Sequence, residues 1–310
     1  SEGHSVRALV RPNSPRGGRL KMVDVEVFEA DLADYELLHH ACDGIRHIYH
    51  AGSDMSSDWE IQERVTVQAT KQLVDAAKAN QIERFLHFSS LAVLDHTTVR
   101  MTQKVTEDCP YKQHQNTMGA YAYAKIQTEQ LLLSAYKKDG LPITIVRPGI
   151  VIGPMGRLFF PHLGYRYANK YFFIIGDGKK VLPLTYVENT VDAIYRASQS
   201  ESAIGQIYNI VDDGEVLVCD YLQRFKEMTG GQIRINHVPY FLAYAASAAY
   251  EMAASLGLAE KGITSRAQLK SKQTDILYDN AKTKFELDWT PTVSIDEGIR
   301  KTFEWHISRP

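Results

Sequence analysis

Tyr121 and Lys125 stand four residues apart in Tyr121-Ala122-Tyr123-Ala124-Lys125. On a helix that spacing puts both side chains on one face. A phenol has a pKa of about 10 and is a poor base at neutral pH. An ammonium beside it stabilises the phenolate and lowers that value. Such a tyrosine can exchange a proton with a hydroxyl or a carbonyl. The pair recurs by chance in many helices, so its weight comes from its surroundings. The apolar run 84–88 leads into Ser89-Ser90. If that run is a sheet strand, Ser90 lies at its carboxyl end, where open α/β sheets place ligands. A serine hydroxyl there can hydrogen-bond a substrate oxygen and steady developing charge. A long polar stretch, 97–118, separates Ser90 from Tyr121; loops of that length in compact domains are usually functional or disordered.

The elements that must position these residues follow from the apolar pattern. Segments 6–10, 25–28, 45–49, 84–88 and 143–146 read as strands. Segments 37–42, 62–79 and 121–136 read as helices. The alternation predicts an α/β fold with a parallel sheet covered by helices on both faces. The strands are short apolar runs without alternation, as expected of strands buried on both sides. After Gly153 the rhythm becomes irregular and aromatic-rich, as in Tyr165-Arg166-Tyr167 and Tyr171-Phe172-Phe173. That change points to a smaller substrate-binding region. The expected division is 1–155 for dinucleotide binding and 156–310 mainly for substrate, with 181–212 returning to the first part.

Composition narrows the function classes. The 310 residues carry 35 Lys+Arg against 37 Asp+Glu, with 44% hydrophobic and 23% charged residues. This is the balance of a soluble globular protein. A net charge of −2 without a basic run gives no case for nucleic acid. Cys42, Cys109 and Cys219 are odd in number and far apart, so neither a disulfide framework nor a zinc ribbon is expected. A reducing, cytoplasmic location is the expectation, and no secretory-signal pattern opens the sequence. Segment 240–259 is long and apolar but holds Glu251. It reads as a buried or amphipathic helix rather than a membrane span, with a membrane-surface helix as the alternative. No metal site is expected. His47 and His50 point to opposite faces of a strand, His39-His40 fit a helix surface, and Lys179-Lys180 fit a solvated hairpin tip.

In order along the chain come Asp31-Leu32, His50-Ala51-Gly52, Ser89-Ser90-Leu91-Ala92-Val93 and Tyr121…Lys125…Glu129. Then follow Arg147-Pro148-Gly149-Ile150-Val151-Ile152-Gly153-Pro154, Gly176-Asp177-Gly178, Tyr186-Val187-Glu188-Asn189, Tyr278-Asp279-Asn280-Ala281-Lys282 and Trp289-Thr290-Pro291. Together these resemble the extended short-chain dehydrogenase/reductase family, including its NAD-dependent epimerase/dehydratase and 3β-hydroxysteroid dehydrogenase branches. The resemblance implies a Rossmann-type doubly wound parallel sheet with a smaller C-terminal substrate-binding region. It implies Tyr121 as general acid/base, Lys125 on the nicotinamide ribose and Ser90 as the third catalytic residue. Asp31 and Leu32 would lie by the adenine, and Ala51, Gly52 and Ser89 along the cofactor path. Pro148, Gly149, Ile150 and Val151 would close over the nicotinamide. A small-molecule substrate and a homodimer are also implied.

The sequence departs from that family at its start. The family opens with a strand and a glycine-rich turn that admits the pyrophosphate, and nothing like it precedes Val6. Gly17-Gly18 comes too late, and Gly3 resembles a helix C-cap without its helix. The expectation is a chain lacking roughly 20–30 residues, one β-α unit. Arg11 stands where an acidic residue usually binds the NAD ribose. It could meet the 2′-phosphate of NADP, so NADP is expected over NAD. Leu91-Ala92 follow Ser90 where sugar dehydratases carry an acidic pair, which argues against water elimination. The leading expectation is an NAD(P)-dependent oxidoreductase interconverting a secondary alcohol and a ketone. The apolar, aromatic second half favours a lipid, steroid-like or aromatic substrate. The alternatives are a nucleotide-sugar epimerase using the same triad, with Arg157, Arg166 and Lys170 toward the diphosphate, and a non-catalytic NADPH sensor.

Overall fold

The computed structural model describes residues 3–14, 20, 23–96, 103–113, 118–168, 170–255, 269 and 276–308. Gly17-Gly18 and, within the 97–118 stretch, residues 97–102 and 114–117 lie outside the described residues. The chain divides into two compact units. The first holds Ser1–Val93, Tyr111–Arg147 and Ala197–Ile207; the second holds Leu94–Pro110, Pro148–Arg196 and Tyr208–Pro310.

The first unit is α/β. Strand β1 (Arg7–Val10) pairs in parallel with β2 (Glu26–Glu29), Val10 opposite Glu29. Helix α1 (Tyr35–Cys42) begins where the Asp34 carboxylate accepts the Leu37 N–H, the usual cap for an orphan donor. Strands β3 (His47–His50), β4 (Arg84–Phe88) and β5 (Ile143–Pro148) run parallel in the order β3-β4-β5. Phe85, Leu86, Ile143, Ile145 and Val146 are fully buried, which is why these runs lack polar alternation. The resemblance implies one continuous sheet. Among the described residues β1 pairs with β2 alone, and no strand joins β1 to β3.

Between β3 and β4, the expected single helix 62–79 starts earlier and is not uniform. It comprises α2 (Trp59–Gln62), a π-helical stretch Glu63–Gln68 and α3 (Ala69–Ala79). Asp58 caps its start through bonds from the Glu60 and Ile61 N–H groups. The Thr66 hydroxyl donates to the Gln62 side chain, and the Thr70 hydroxyl donates to Thr66 O. Helix α4 (Ala120–Asp139) runs to Gly140, whose left-handed φ of 70° ends it. Leu73, Val74 and Ala77 of α3 and Leu132 and Ala135 of α4 share a core with Phe85, Ile143 and Ile145.

The second unit is built from short strands and helices. Strand β6 (Ile150–Ile152) pairs in parallel with β10 (Leu184–Tyr186). Strands β7 (Tyr165–Tyr167), β8 (Tyr171–Ile175) and β13 (Arg234–Val238) form a sheet in the order β13-β8-β7. Strand β9 (Val181–Leu182) pairs with β12 (Val216–Leu217). Helix α5 (Val187–Gln199) and strand β11 (Ile207–Ile210) lie between β10 and β12 in the chain. Helix α6 (Val218–Met228) and α8 (Ile295–Ile307) bury Tyr221, Phe225, Ile299 and Phe303 against Phe172 and Ile174 of β8. Asn189 clamps the C-terminal segment. Its amide nitrogen donates to Asp212 and Val293 O, and its oxygen accepts the Thr292 and Val293 N–H groups. The Tyr-Val-Glu-Asn and Trp-Thr-Pro motifs meet there, with the Trp289 indole donating to Asn189 O.

Helix α7 (Tyr240–Ser255) corrects one alternative for segment 240–259: none of its residues is buried. Phe241 is 69% exposed and Met252 64%. Residues 256–259 lie outside the described residues. Among the described residues no helix is long and apolar enough to cross a membrane.

Candidate active site

Ser90 lies two residues past the end of β4 and leads into a 3₁₀ turn over Leu91–Val93, its Oγ accepting the Ala92 N–H at 3.2 Å. Tyr121 sits in the first turn of α4, which the chain enters through Gly119 at a φ of 82°. That left-handed conformation costs a glycine little. The Ser90 hydroxyl lies beside the Tyr121 phenol and favours its ionised form. One turn on, the Lys125 Nζ lies 6.0 Å from the Tyr121 ring centroid and donates to Phe88 O at 2.7 Å. The sheet end and the helix thus bring Ser90, Tyr121 and Lys125 into one cluster within the first unit.

The electrostatics differ from the simple expectation. Burial raises the Tyr121 pKa, and the Ser90 hydrogen bond opposes it. The opposing influence resolved on Tyr121 is Ser90's, while the lysine ammonium is turned to the Phe88 carbonyl. Tyr121 therefore rests as the neutral phenol at pH 7. Lys125 is only 2% exposed. Burial lowers its pKa to about 8, against the raising influence of Glu129.

Glu129, a further turn along α4, anchors a buried network absent from the expected site. Its carboxylate accepts from Arg147 Nε at 3.0 Å, Arg147 Nη2 at 2.6 Å and Tyr111 OH at 2.8 Å. The Arg147 guanidinium lies 5.4 Å from the Tyr111 ring centroid. Two imidazoles border the same region. His50 Nε2 bonds Thr70 Oγ1, and His87 Nε2 bonds Thr128 Oγ1. Their rings are 5.3 Å apart. Burial, then the Lys125 charge, pushes His50 down to about 3 and His87 well below the ordinary range. Both are neutral. The sequence signal for this cluster is weak, because His50, Thr70, His87 and Thr128 are scattered along the chain.

Of the residues expected along a cofactor, Arg11 and Asp31-Leu32 leave β1 and β2 at the same end, where Ala30 N–H donates to Val10 O. Asp31 turns its carboxylate onto the Ala33 N–H at 2.9 Å. Gly52 lies against Leu32: a Cβ there would meet Leu32 Cδ1 at 3.0 Å. Ala51 is exposed beside it. The Ser89 hydroxyl is buried with no partner, as is His87 Nδ1. Pro148, Gly149, Ile150 and Val151 belong to the second unit. There Gly149 N–H donates to Ile210 O and Ile150 N–H to Pro183 O. A Cβ on Gly149 would collide with Pro183 O, so this glycine is required by packing. His39 and His40 lie on α1 near Asp43. Among the described residues no group of three His, Cys, Asp or Glu could hold a metal ion.

Residues 1–211 match the model of the NAD dependent epimerase/dehydratase family. The chain is 28% identical over 296 residues to the 3beta-hydroxysteroid-dehydrogenase/decarboxylase isoform 2 of Arabidopsis thaliana, covering 90% of this chain and 52% of that protein. It thus spans about half the length of that relative. It is 25% identical over 308 residues to the 2-alkyl-3-oxoalkanoate reductase of Stenotrophomonas maltophilia, covering 96% of this chain and 91% of the other. A crystal structure of the UDP-glucuronic acid 4-epimerase of Bacillus cereus, in complex with UDP-glucuronic acid and NAD, shares the fold. Its TM-score is 0.76 at 17% identity, over 99% of this chain and 92% of that one. The fold is a Rossmann-type α/β fold, and the chain belongs to the NAD dependent epimerase/dehydratase family.

Proposed function

We propose that the chain is an NAD(P)-dependent oxidoreductase that interconverts a secondary alcohol and a ketone on an apolar carrier, with Tyr121 as the general acid/base. The observation that carries this reading is the pairing of Tyr121 with Ser90, one helical turn from the buried Lys125, whose Nζ lies 6.0 Å from the Tyr121 ring centroid. The neutral phenol is the form needed to protonate an alkoxide, so ketone reduction is the favoured direction near pH 7. Ser90 shares its hydrogen bond with the substrate oxygen and steadies the charge that develops there. Tyr121 then gives up its hydroxyl proton to that oxygen.

The residues fit a nicotinamide cofactor. The Lys125 ammonium has three donors and uses one of them on Phe88 O. The others suit ribose hydroxyls, and the unpartnered Ser89 hydroxyl lies buried at the same strand end. Arg11, Asp31, Leu32, Ala51 and Gly52, all of the first unit, complete the proposed cofactor set there. When bound, the nicotinamide supplies or accepts the hydride. Arg11 favours NADP, by pairing with a 2′-phosphate. Leu91 and Ala92 offer no acid or base for water elimination, so dehydration is not part of the proposal. The steroid dehydrogenase and the oxoalkanoate reductase to which the chain is similar support a carbonyl next to an apolar body.

The test is NAD(P)H oxidation by the chain with a 3-ketosteroid and with a 2-alkyl-3-oxoalkanoate. Tyr121→Phe should lower turnover roughly 10²–10⁴-fold while leaving cofactor binding intact. Unchanged turnover in that variant refutes Tyr121 as the acid. Co-purified NAD with turnover of a nucleotide sugar, and no net cofactor oxidation, would mark an epimerase instead.

A further inference from the structure

A cleft lies wholly within the second unit. It has a volume of about 680 Å³ and is lined by Phe159, Phe225, Ile233, Arg166, Lys170 and Arg234, with the turn 229–232 closing one side. Three of its lining residues are cations and none is acidic. They come from three segments held in register: Arg166 on β7 opposite Phe172, Lys170 before β8, and Arg234 at the start of β13. The Arg234 N–H donates to Lys170 O at 2.7 Å, which fixes those two segments side by side.

Among the described residues, the arginines of this cleft face rings rather than carboxylates. Arg147, Arg196, Arg224 and Arg300 each face an acidic side chain. The Arg166 guanidinium instead lies 4.6 Å from the Phe159 ring centroid, and Arg234 lies 6.0 Å from that of Tyr171. Stacking on a ring orients a guanidinium and leaves its N–H fork open to an oxyanion. Phe159 is itself fixed by Phe172 and Phe225, at 5.0 and 4.9 Å between centroids. The cleft therefore joins an oriented cationic rim to a rigid aromatic floor. Its volume falls in the range of roughly 300–1,000 Å³ typical of small-molecule sites, more than a bare ion needs. Three positive charges exceed the demand of a single carboxylate and suit a phosphoryl dianion.

We propose that this cleft binds an organic phosphate, with the phosphoryl oxygens at Arg166 and Lys170, Arg234 at the rim, and the apolar part of the ligand against Phe159 and Phe225. None of the residues proposed for hydride transfer or for the dinucleotide lines it, so the site stands whether or not that function holds.

The experiment is isothermal titration of the full chain with phenyl phosphate in dilute salt, with inorganic phosphate alongside. The expected result is saturable one-site binding of phenyl phosphate, tighter than that of inorganic phosphate and weakened by added salt. Arg166→Ala should weaken it at least tenfold, and Arg166→Lys by less, because charge persists without the fork. Lys170→Ala should also weaken it, while Arg46→Ala, on the first unit's surface, leaves it unchanged. Binding should persist at saturating NADPH. Absence of saturable binding, indifference to Arg166→Ala and Lys170→Ala, or displacement by NADPH would each overturn the proposal.

Discussion

Lys125 should make the chain less stable at neutral pH than at alkaline pH, and replacing it with methionine should remove that dependence. Its pKa is about 8, lowered from 10.5 first of all by burial. Between these values the unfolded chain binds a proton that the folded chain has lost, so stability rises with pH through this window. Below about 8 the penalty is present in full. At roughly 1.4 kcal/mol per pH unit, the interval from 10.5 to about 8 amounts to about 3 kcal/mol. By pH 10 most of this is relieved, leaving a change of about 2–3 kcal/mol between pH 7 and pH 10. Lys125→Met keeps the aliphatic stem and deletes the charge. It also deletes the hydrogen bond to Phe88 O, worth about 1 kcal/mol. The variant should thus be about 2 kcal/mol more stable than the parent at pH 7 and lose that advantage by pH 10. Urea unfolding of both proteins at the two pH values reads the difference directly, since every other titrating group is shared. Two curves that stay parallel from pH 7 to 10, or a methionine variant that is the weaker at pH 7, would refute the reasoning. A lysine kept at such a cost is expected where its charge serves a ligand.

Glu129→Gln should destabilise the fold by about 3–5 kcal/mol, because Arg147, only 2% exposed in its side chain, loses its buried partner; urea unfolding at pH 7 measures this. The neutral imidazoles act at the acid end. Their folded pKa values lie below the ordinary 6.5, so the unfolded chain takes up protons first and stability falls as pH drops below about 6.5. Each contributes up to roughly 1.4 kcal/mol per pH unit. His87→Phe should flatten the unfolding free energy between pH 6.5 and 4.5, and an unchanged slope would count against the buried neutral histidine. Arg11→Ala should weaken NADPH binding about tenfold and leave NADH unchanged in a fluorescence titration. An equal effect on both cofactors would remove Arg11 from the 2′-phosphate.

Much of the architecture can be read along the chain. The run Arg84–Phe88 is a strand with those bounds, because Phe85, Leu86 and Phe88 mark a strand buried on both faces even with Arg84 and His87 among them. The helix carrying Tyr121 and Lys125 is visible from its composition, and it extends to Asp139 until Gly140 turns the chain. Helix 62–79 is legible as a helix but not in its start or its π-helical stretch. Those depend on the Asp58 cap and on Thr66 and Thr70 hydroxyl bonds, which periodicity does not register.

The proposed triad is a local signal twice over: a four-residue helical spacing, and two serines at a strand end. Its surroundings are not. Glu129 meets Arg147 and Tyr111 only when α4 packs beside β5, and His50 meets His87 only because β3 lies next to β4. The sequence by itself determined the alternation of strands and helices, the ordered motifs and the face shared by Tyr121 and Lys125, since each follows from spacing and backbone geometry. Tertiary packing decided which charges are buried, so it set the raised pKa of Tyr121, the lowered pKa of Lys125 and the ring-facing arginines of the second unit's cleft. The physical reason is that desolvation depends on everything that surrounds a group, and those neighbours come from segments far apart in the chain.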